Sequence, residues 1–400
     1  MSFRLSAPRP FGAFQEASYF PALDGLRAVS IFLVLLHHVP PFRPGLLSTL
    51  QENGRYGVSF FFVISGFLIC TLFLREKEKT GRIDLLKFYG RRALRLLPLY
   101  YVTLALQAVL VFVLKQYTPE NQELFRGKLP AYLFYYSNWL ASATQGPFFC
   151  AWSLAVEEQF YLGFGLLLRF ARHRLVIGLA LAALFTKAAA HGLFGPLDTG
   201  SALWRVIFSY QESILLGVLL AFVLARRWWY DVCVRGLRSP WILPCLAAGL
   251  VAWLCAHAMR TQSSLDAQAL YLLMTLIVAG VVIRPVTPGL CGAIMTHVGR
   301  ISYGIYLLHM FVISLVKKLP GGTNPAVCLL LSTVAVIAVA SVVYRYLELP
   351  IIRFYKNKLT PSRPASGQTA DDRNGAESGV QFNGTLPSAS SSKETTRISV

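Results

Sequence analysis

Charged residues are scarce in this chain of 400 residues. They make up 14% of the sequence, and hydrophobic residues make up 55%. Soluble domains carry about 25% charged residues, so these charges are too few to cover a soluble surface. The composition therefore argues against a soluble enzyme and indicates an integral membrane protein.

Acidic residues are the scarcer of the two charge types. The chain has 19 Asp and Glu against 38 Lys and Arg, which gives a formal net charge of +19. In a soluble protein this excess would suggest nucleic-acid binding. In a membrane protein it is typical of basic loops on the cytoplasmic side, so we expect membrane lipids and no nucleic acid among the partners.

Cysteine motifs that would hold a metal are missing. The seven cysteines form no CxxC or other metal-type spacing. Most of them lie in apolar runs, where cysteine behaves as a small buried hydrophobic residue. We therefore predict no metal site.

Long apolar runs take up most of the sequence, and runs of about 20 residues can cross a hydrocarbon core roughly 30 Å thick. In lipid, backbone polar groups pair within a helix or a closed barrel, and continuous rather than alternating apolar runs favour helices. We predict an all-α membrane bundle of about ten transmembrane helices over residues 1–358, and a disordered polar tail over residues 359–400. The predicted spans are residues 23–39, 56–74, 95–114, 152–168, 175–193, 204–224, 241–258, 266–283, 301–316 and 326–344.

The distribution of Lys and Arg predicts the orientation. Basic residues are more frequent in the loops on the N-terminal side of the membrane, which predicts that both termini are cytoplasmic in a plasma (inner) membrane. Lys317 and Lys318 go against this bias. The aromatic segment 130–143 is too short to span, and we expect a re-entrant or interfacial segment on the outer side.

The first predicted span carries ionisable residues, which are costly in a membrane and face a bundle interior or a water-filled cavity. Arg27 and His38 are eleven residues apart, so they lie within roughly 20° of each other around the helix and roughly 16 Å apart along it. Asp24 lies one turn from Arg27 and can neutralise it, whereas His37 points elsewhere. We predict His38 as a general base; the alternative is a histidine that is hydrated at the outer interface.

The second predicted span contains Ser65 among small residues. A serine hydroxyl can act as a nucleophile, but nothing in the sequence supplies a neighbouring base. Close helix packing is therefore the favoured interpretation of this segment.

A basic loop precedes the third predicted span and ends with Arg91, Arg92 and Arg95. Arg92 and Arg95 lie one helical turn apart at the cytoplasmic mouth of the span. Guanidinium groups match phosphate oxygens, which favours a phosphorylated donor. Attraction to anionic lipid headgroups is the alternative.

The fourth predicted span contains two adjacent carboxylates, Glu157 and Glu158. They point about 100° apart, so only one can face a narrow cavity. Glu157 shares a helix face with Trp152, Ser153 and Tyr161. We predict a functional carboxylate here, because two adjacent Glu in a span have no simple structural explanation.

The ninth predicted span places Tyr303, Tyr306 and His309 on one helix side by their spacing of three. They either line the cavity or form a buried core network. Near the end of the chain, the spacing of Arg345 and Glu348 predicts a structural ion pair.

Six motifs in this order carry a resemblance to the acyltransferase 3 family of membrane O-acyltransferases. The motifs are LDGLRAVSIFLVLLHH, GVSFFFVISGFLI, FYGRRALRLLP, WSLAVEEQFYL, ISYGIYLLH and YLELP, and the resemblance covers residues 19–355. It implies a ten-helix bundle that moves an acyl group, usually acetyl, from acyl-coenzyme A to a hydroxyl of a carbohydrate or related acceptor. Acyl-coenzyme A would be a co-substrate, and no cofactor would be bound permanently.

The resemblance also implies roles for single residues. The family's Arg and His fall on Arg27 and His38, and its basic pair falls on Arg92 and Arg95. Its Trp-Ser-Leu and Glu motif falls on Trp152, Ser153 and Glu157. Ser59 departs from the family, because many relatives have Asp there.

A different class of protein stays open at this point. A multi-pass transporter or exporter of a sugar or lipid also carries charges within its spans, but no symmetric halves with broken helices are visible in the sequence. A non-catalytic scaffold would leave the histidine of the first span and the glutamates of the fourth unexplained.

Overall fold

The structure is a computed structural model that describes residues 6–141, 143–194, 202–256 and 264–359. Within these ranges every element of regular secondary structure is helical, with seventeen α-helices. The predicted all-α class is therefore confirmed. The predicted tail lies outside the described residues from residue 360 onward.

The first nine helices are α1 Phe11–Glu16, α2 Pro21–His38, α3 Leu46–Asn53, α4 Tyr56–Thr80, α5 Leu85–Ala108, α6 Pro119–Leu133, α7 Ala151–Phe170, α8 His173–Phe194 and α9 Ala202–Ile207. The other eight are α10 Glu212–Leu224, α11 Arg227–Gly236, α12 Ile242–Ala256, α13 Ser264–Val282, α14 Ala293–Arg300, α15 Ser302–Val316, α16 Pro325–Val343 and α17 Leu349–Leu359. A π-helical turn, Val109–Val113, continues α5, and a second, Tyr344–Glu348, joins α16 to α17.

Five helical segments in the described residues are long and apolar enough to cross a membrane. A sixth is added if α14 and α15, which are bent by 76° relative to each other, form one broken span. Nine of the ten predicted spans each overlap one α-helix in the described residues, and the span 204–224 covers both α9 and α10. The count of ten transmembrane helices stays a prediction. Neither α2 nor α7 is among these segments, although α2 carries the predicted site residues Arg27 and His38 and α7 carries Glu157. The five segments are Tyr56–Thr80, Leu85–Val113, His173–Ala190, Ala202–Leu224 and Pro325–Phe354.

Buried apolar side chains form two large clusters. One joins α4, α10, α12 and α13 with part of α2, and the other joins another part of α2 with α5, α15 and α16. Because α2 contributes to both clusters, it is held in the middle of the bundle.

Glycine allows α4 and α10 to approach closely. A Cβ at Gly66 would overlap the carbonyl oxygen of Ile214, and a Cβ at Gly217 would overlap that of Val63. These reciprocal contacts fix α4 against its neighbour. They therefore confirm close helix packing in the second predicted span.

The break between α14 and α15 is held by another close contact. A Cβ at Gly299 would overlap the backbone of Asp24, and a Cβ at Gly25 would overlap that of Leu290. The start of α2 is therefore packed directly on α14. This fixes Arg300, the last residue of α14, beside the first turns of α2.

The segment before α2 packs across one end of the bundle. Phe14 packs on Tyr230, with ring centroids 5.0 Å apart. Arg75 of α4 donates to the carbonyl oxygens of Phe14 and Ala17, at 2.7 and 2.6 Å. These contacts fix the N-terminal segment beside the start of α2.

The aromatic segment 130–143 forms no spanning helix. The helix α6 ends at Leu133, and a short 3₁₀ turn follows at Ser137–Trp139. The hydroxyls of Tyr100 and Tyr101 donate to two carbonyl oxygens at the end of α6. The segment is thus tied to α5.

The cysteines agree only in part with their predicted burial. Cys70, Cys150 and Cys328 are buried, whereas Cys245 is exposed on α12. The other three are half-buried.

Candidate active site

Two adjoining cavities lie between the helices that carry the predicted site residues. The first, which we call the vestibule, has a volume of about 40 Å³ and lies at the end of the bundle where α2 begins. Its polar and charged lining residues are Ser18, Tyr19, Asp24, Arg27, Thr71, Arg75, Arg95 and Arg300. The second, the inner cavity, has a volume of about 90 Å³ and is lined from α2, α4, α5, α7 and α15. Its polar and charged lining residues are Arg27, Ser65, Arg92, Arg95, Ser153, Glu157, Ser302, Tyr303 and Tyr306.

Arg27 and Arg95 line both cavities. Arg27 pairs with Asp24, with a nitrogen–oxygen distance of 3.8 Å, as the spacing predicts. Asp24 also accepts a hydrogen bond of 2.6 Å from the hydroxyl of Tyr19. The two arginines therefore mark the junction between the cavities.

Glu157 is the carboxylate that lines the inner cavity. One of its oxygens accepts hydrogen bonds from Ser65, at 2.5 Å, and from the hydroxyl of Tyr161. Glu158, the adjacent residue, does not line this cavity. The sequence left open which of the two glutamates faces the cavity, and the structure assigns that position to Glu157.

Ser65 therefore has a base as its neighbour, contrary to what the sequence suggested. The base comes from α7, more than ninety positions along the chain, and only the packing of α4 against α7 brings the two together. Tyr161 lies behind Glu157, is almost fully buried, and lines neither cavity.

The predicted set of arginines is divided by the fold. The guanidinium of Arg92 lies over the ring of Tyr161, with its central carbon 3.6 Å from the ring centroid. It faces the inner cavity and not the vestibule. Arg91 is exposed and lines neither cavity. Of the three predicted phosphate-binding residues, Arg95 alone reaches the vestibule.

The far end of the inner cavity is closed by two hydroxyl groups. The hydroxyl oxygens of Ser153 and Tyr306 are 2.6 Å apart, and either hydroxyl can donate to the other. Each also lies within hydrogen-bond distance of the carbonyl oxygen of Cys150. Tyr303, one turn away, lines the cavity and donates to the carbonyl oxygen of Leu96 at 2.7 Å.

Two histidines lie just beyond this end. The rings of His38 and His309 have centroids 4.9 Å apart, and the His309 ring is 5.6 Å from that of Tyr306. Neither histidine lines the two cavities. Tyr306 lines the inner cavity and contacts His309, which in turn contacts His38.

Hydrogen bonds fix the tautomer of both histidines. The Nδ1 of His38 lies 2.7 Å from the carbonyl oxygen of Val34, and the Nδ1 of His309 lies 2.5 Å from that of Tyr306. A carbonyl oxygen only accepts hydrogen bonds, so both Nδ1 atoms carry the proton and both Nε2 atoms have the free lone pair. The Nε2 of His309 is buried with no hydrogen-bond partner in the described part of the chain.

Two further predicted residues lie outside the cavities. Trp152 packs on Phe62, with ring centroids 6.3 Å apart, and serves as part of the wall. Arg345 is exposed and stacks on Tyr346 rather than pairing with Glu348, so the predicted ion pair is wrong. Glu348 is buried and interacts electrostatically with Arg95 instead.

Sequence reasoning missed Arg75, Arg300 and Ser302 as lining residues. Arg300 and Ser302 directly flank Ile301, where the chain bends between α14 and α15. The available signal was the Gly-Arg pair just before the ISYGIYLLH motif.

A family profile described as an acyltransferase domain matches residues 20–345. This chain belongs to the acyltransferase 3 family. The match contains both histidines, every lining residue of the inner cavity, and every lining residue of the vestibule except Ser18 and Tyr19.

Two proteins of Staphylococcus aureus are similar to most of this chain. The O-acetyltransferase OatA of strain NCTC 8325 is 28% identical over 83% of this chain and 57% of its own length. A protein of strain COL, whose name assigns O-acetyltransferase activity provisionally, is 27% identical over 86% of this chain and 59% of its own length. The chain thus spans less than three fifths of the length of these relatives. No solved structure matches it.

Proposed function

We propose that this protein is a membrane O-acetyltransferase that moves an acetyl group from acyl-coenzyme A to a hydroxyl of a carbohydrate or related cell-surface acceptor. One observation carries the proposal. Two adjoining cavities rich in arginine lead from one end of the bundle toward a pair of histidines with free Nε2 lone pairs. The family and the names of the two relatives support the same reaction class.

The donor enters, in this proposal, from the cytoplasmic end where α2 begins. Its uncharged arm lies in the inner cavity, and its thioester reaches the end of that cavity beside Tyr306. Glu157 and Ser65 offer hydrogen-bonding groups to the arm, while Arg27 offsets negative charge near the junction.

His38 removes the proton of the acceptor hydroxyl, whose oxygen attacks the thioester carbon. The new carbon–oxygen bond forms as the carbon–sulfur bond breaks, and coenzyme A leaves as a thiolate that takes up the proton from His38. Since neither histidine lines the inner cavity, side chains at the end beside Tyr306 must move aside for this step.

The test uses His38→Ala, with the adjacent His37→Ala as matched control. General-base catalysis contributes typically about 10²–10⁴-fold, so His38→Ala is expected to lose transfer by that factor. His37 binds the carbonyl oxygen of Gln51 and lies outside the proposed reaction, so its variant should retain transfer. The readout is acetate released by mild alkali from the envelope of cells that overproduce each variant.

Binding of the donor is measured separately on the purified protein. Acetyl-coenzyme A at 100 times its dissociation constant adds about 2.7 kcal/mol of stability to the folded state, seen as a higher Tm. Equal acetate from His38→Ala and wild type would exclude His38 as the base. No extra acetate and no thermal shift with wild type would refute the transferase and favour a transporter.

A further inference from the structure

The vestibule holds an excess of positive charge. Four arginines line it, at positions 27, 75, 95 and 300, and Asp24 is the single carboxylate in its lining. Glu348 interacts with Arg95 from outside the lining. Cations removed from water are costly unless they are paired, so this end of the bundle is built for an anion.

Two of the four guanidinium groups have unused hydrogen-bonding capacity. Among the described residues, neither Arg95 nor Arg300 forms a side-chain ion pair within 4.0 Å or a side-chain hydrogen bond. The Nε of Arg300 is buried and has no partner in the same part of the chain. Arg27, in contrast, pairs with Asp24.

The other arginine, Arg75, is already engaged. Its two terminal nitrogens donate to Phe14 and Ala17 and hold the N-terminal segment in place. It contributes charge to the vestibule, but its terminal donors are occupied. Within the described residues, the vestibule arginines that have neither an ion-pair partner within 4.0 Å nor occupied terminal donors are therefore Arg95 and Arg300.

The backbone at Arg300 is rigidly placed. Arg300 ends α14 at the 76° bend, and the preceding Gly299 is packed against the backbone of Asp24. Because its backbone is held in this way, Arg300 loses less conformational freedom when it binds a ligand. Its planar guanidinium fork matches phosphate oxygens. Arg92 lies deeper, over the ring of Tyr161, and does not reach the vestibule.

The charge of the vestibule and the lining of the inner cavity match a ligand that has an anionic head and an uncharged arm. Because the cavities have volumes of only about 40 and 90 Å³, the helices must move apart to admit such a ligand. Resting on the proposed function, we infer that the vestibule binds the phosphate groups of coenzyme A through Arg300 and Arg95. The uncharged pantetheine arm then passes between Arg27 and Arg95 into the inner cavity. Arg300 thus joins the donor site, and Arg91 and Arg92 take no part in phosphate binding.

The experiment combines a protein variant with a shortened ligand. Dissociation constants of coenzyme A and of pantetheine, which lacks every phosphate, are measured for wild type, Arg300→Ala, Arg300→Lys and Arg82→Ala. Arg82 is the matched control, because it is an exposed arginine that lines neither cavity. Melting curves without ligand check that each variant is folded.

Charge-assisted hydrogen bonds of this kind are worth about tenfold or more in affinity. Arg300→Ala should therefore bind coenzyme A about tenfold or more weakly than wild type, while its affinity for pantetheine stays within about twofold. Arg300→Lys keeps the charge and should fall between wild type and Arg300→Ala. Arg82→Ala should match wild type for both ligands. Binding of 3′-dephospho-coenzyme A then shows which phosphate Arg300 contacts.

Three outcomes would overturn the inference, and a fourth would refute the proposed function on which it rests. Equal weakening of coenzyme A and pantetheine would show that Arg300 acts on the bundle or the arm, and unchanged affinity for coenzyme A would remove Arg300 from the site. Competition by phosphatidylglycerol in neutral detergent, lost in Arg300→Ala, would assign the vestibule to a lipid headgroup. Failure of wild type to bind coenzyme A at all would refute the proposed donor itself, before any variant is compared.

Discussion

The contact between Gly299 and the start of α2 makes a quantitative prediction. Real Cβ atoms essentially never approach another heavy atom within 3.0 Å, and a Cβ at Gly299 would overlap three backbone atoms of Asp24. Because backbone cannot rotate away as a side chain can, Gly299→Ala forces α14 and α2 apart by on the order of 1 Å.

The cost follows from two opposing effects. Overpacking of this kind costs about 1–3 kcal/mol, while alanine gains about 0.5–1 kcal/mol over glycine in a helix. We therefore expect Gly299→Ala to lower the free energy of unfolding by about 1–2 kcal/mol. The variant should also bind coenzyme A more weakly, because the same movement shifts Arg300 relative to Asp24.

Thermal unfolding in detergent, followed with a thiol-reactive fluorophore, measures the loss. Cys70 and Cys328 are fully buried, so they react when the bundle opens. The control is Gly163→Ala on α7, where a Cβ meets nothing within 4 Å and the Tm should stay the same or rise. If Gly299→Ala melts together with wild type and binds coenzyme A equally well, the close packing of α2 on α14 is refuted.

Two further predictions concern buried lysines. Lys187 and Glu212 form an ion pair of 3.2 Å with side chains only 10% and 11% exposed, so Lys187→Met should cost about 3–5 kcal/mol. The double variant Lys187→Met/Glu212→Leu should recover most of that loss in the thiol melt, and a double variant as unstable as the single one would contradict this. Lys128 lies in α6, outside the candidate spans, and burial lowers its pKa to about 8. Because the unfolded state then binds the proton more tightly, the stability of wild type relative to Lys128→Met should rise between about pH 8 and 10.5; parallel curves of Tm against pH would exclude the effect.

Features set by helix periodicity were predictable from the sequence. The pairing of Asp24 with Arg27 follows from their spacing along one helix, as does the different direction of Glu157 and Glu158. The shared side of Tyr303 and Tyr306 follows in the same way, and both line the inner cavity. Each of these inferences needs only the geometry of a single helix.

Features set by contacts between helices were not predictable. Arg92 and Arg95 have the right spacing to share a helix face, yet Arg92 stacks on Tyr161 of α7 and Arg95 alone reaches the vestibule. Arg300 joins the site only because the chain bends at Ile301. Neither the stacking partner nor the bend is encoded in a local spacing.

Ser65 illustrates the same limit from the other direction. No base could be assigned to its hydroxyl from the sequence, because Glu157 is distant along the chain and only the packing of α4 against α7 brings the two within 2.5 Å. The catalytic roles of His38, Arg27 and Glu157, and the cytoplasmic location of both termini, stay predictions.

The hydrogen bond between Ser153 and Tyr306 has a consequence for the permeability of the membrane. A protein that receives one substrate from each side would, with a continuous water-filled path, conduct protons and dissipate the membrane potential. The two hydroxyls bond to each other and to the carbonyl group of Cys150, on the side of the inner cavity where Tyr306 contacts His309. In the proposed reaction these bonded groups would oppose a continuous water path from the inner cavity to the histidines, and they would shield a bound thioester from water on that side.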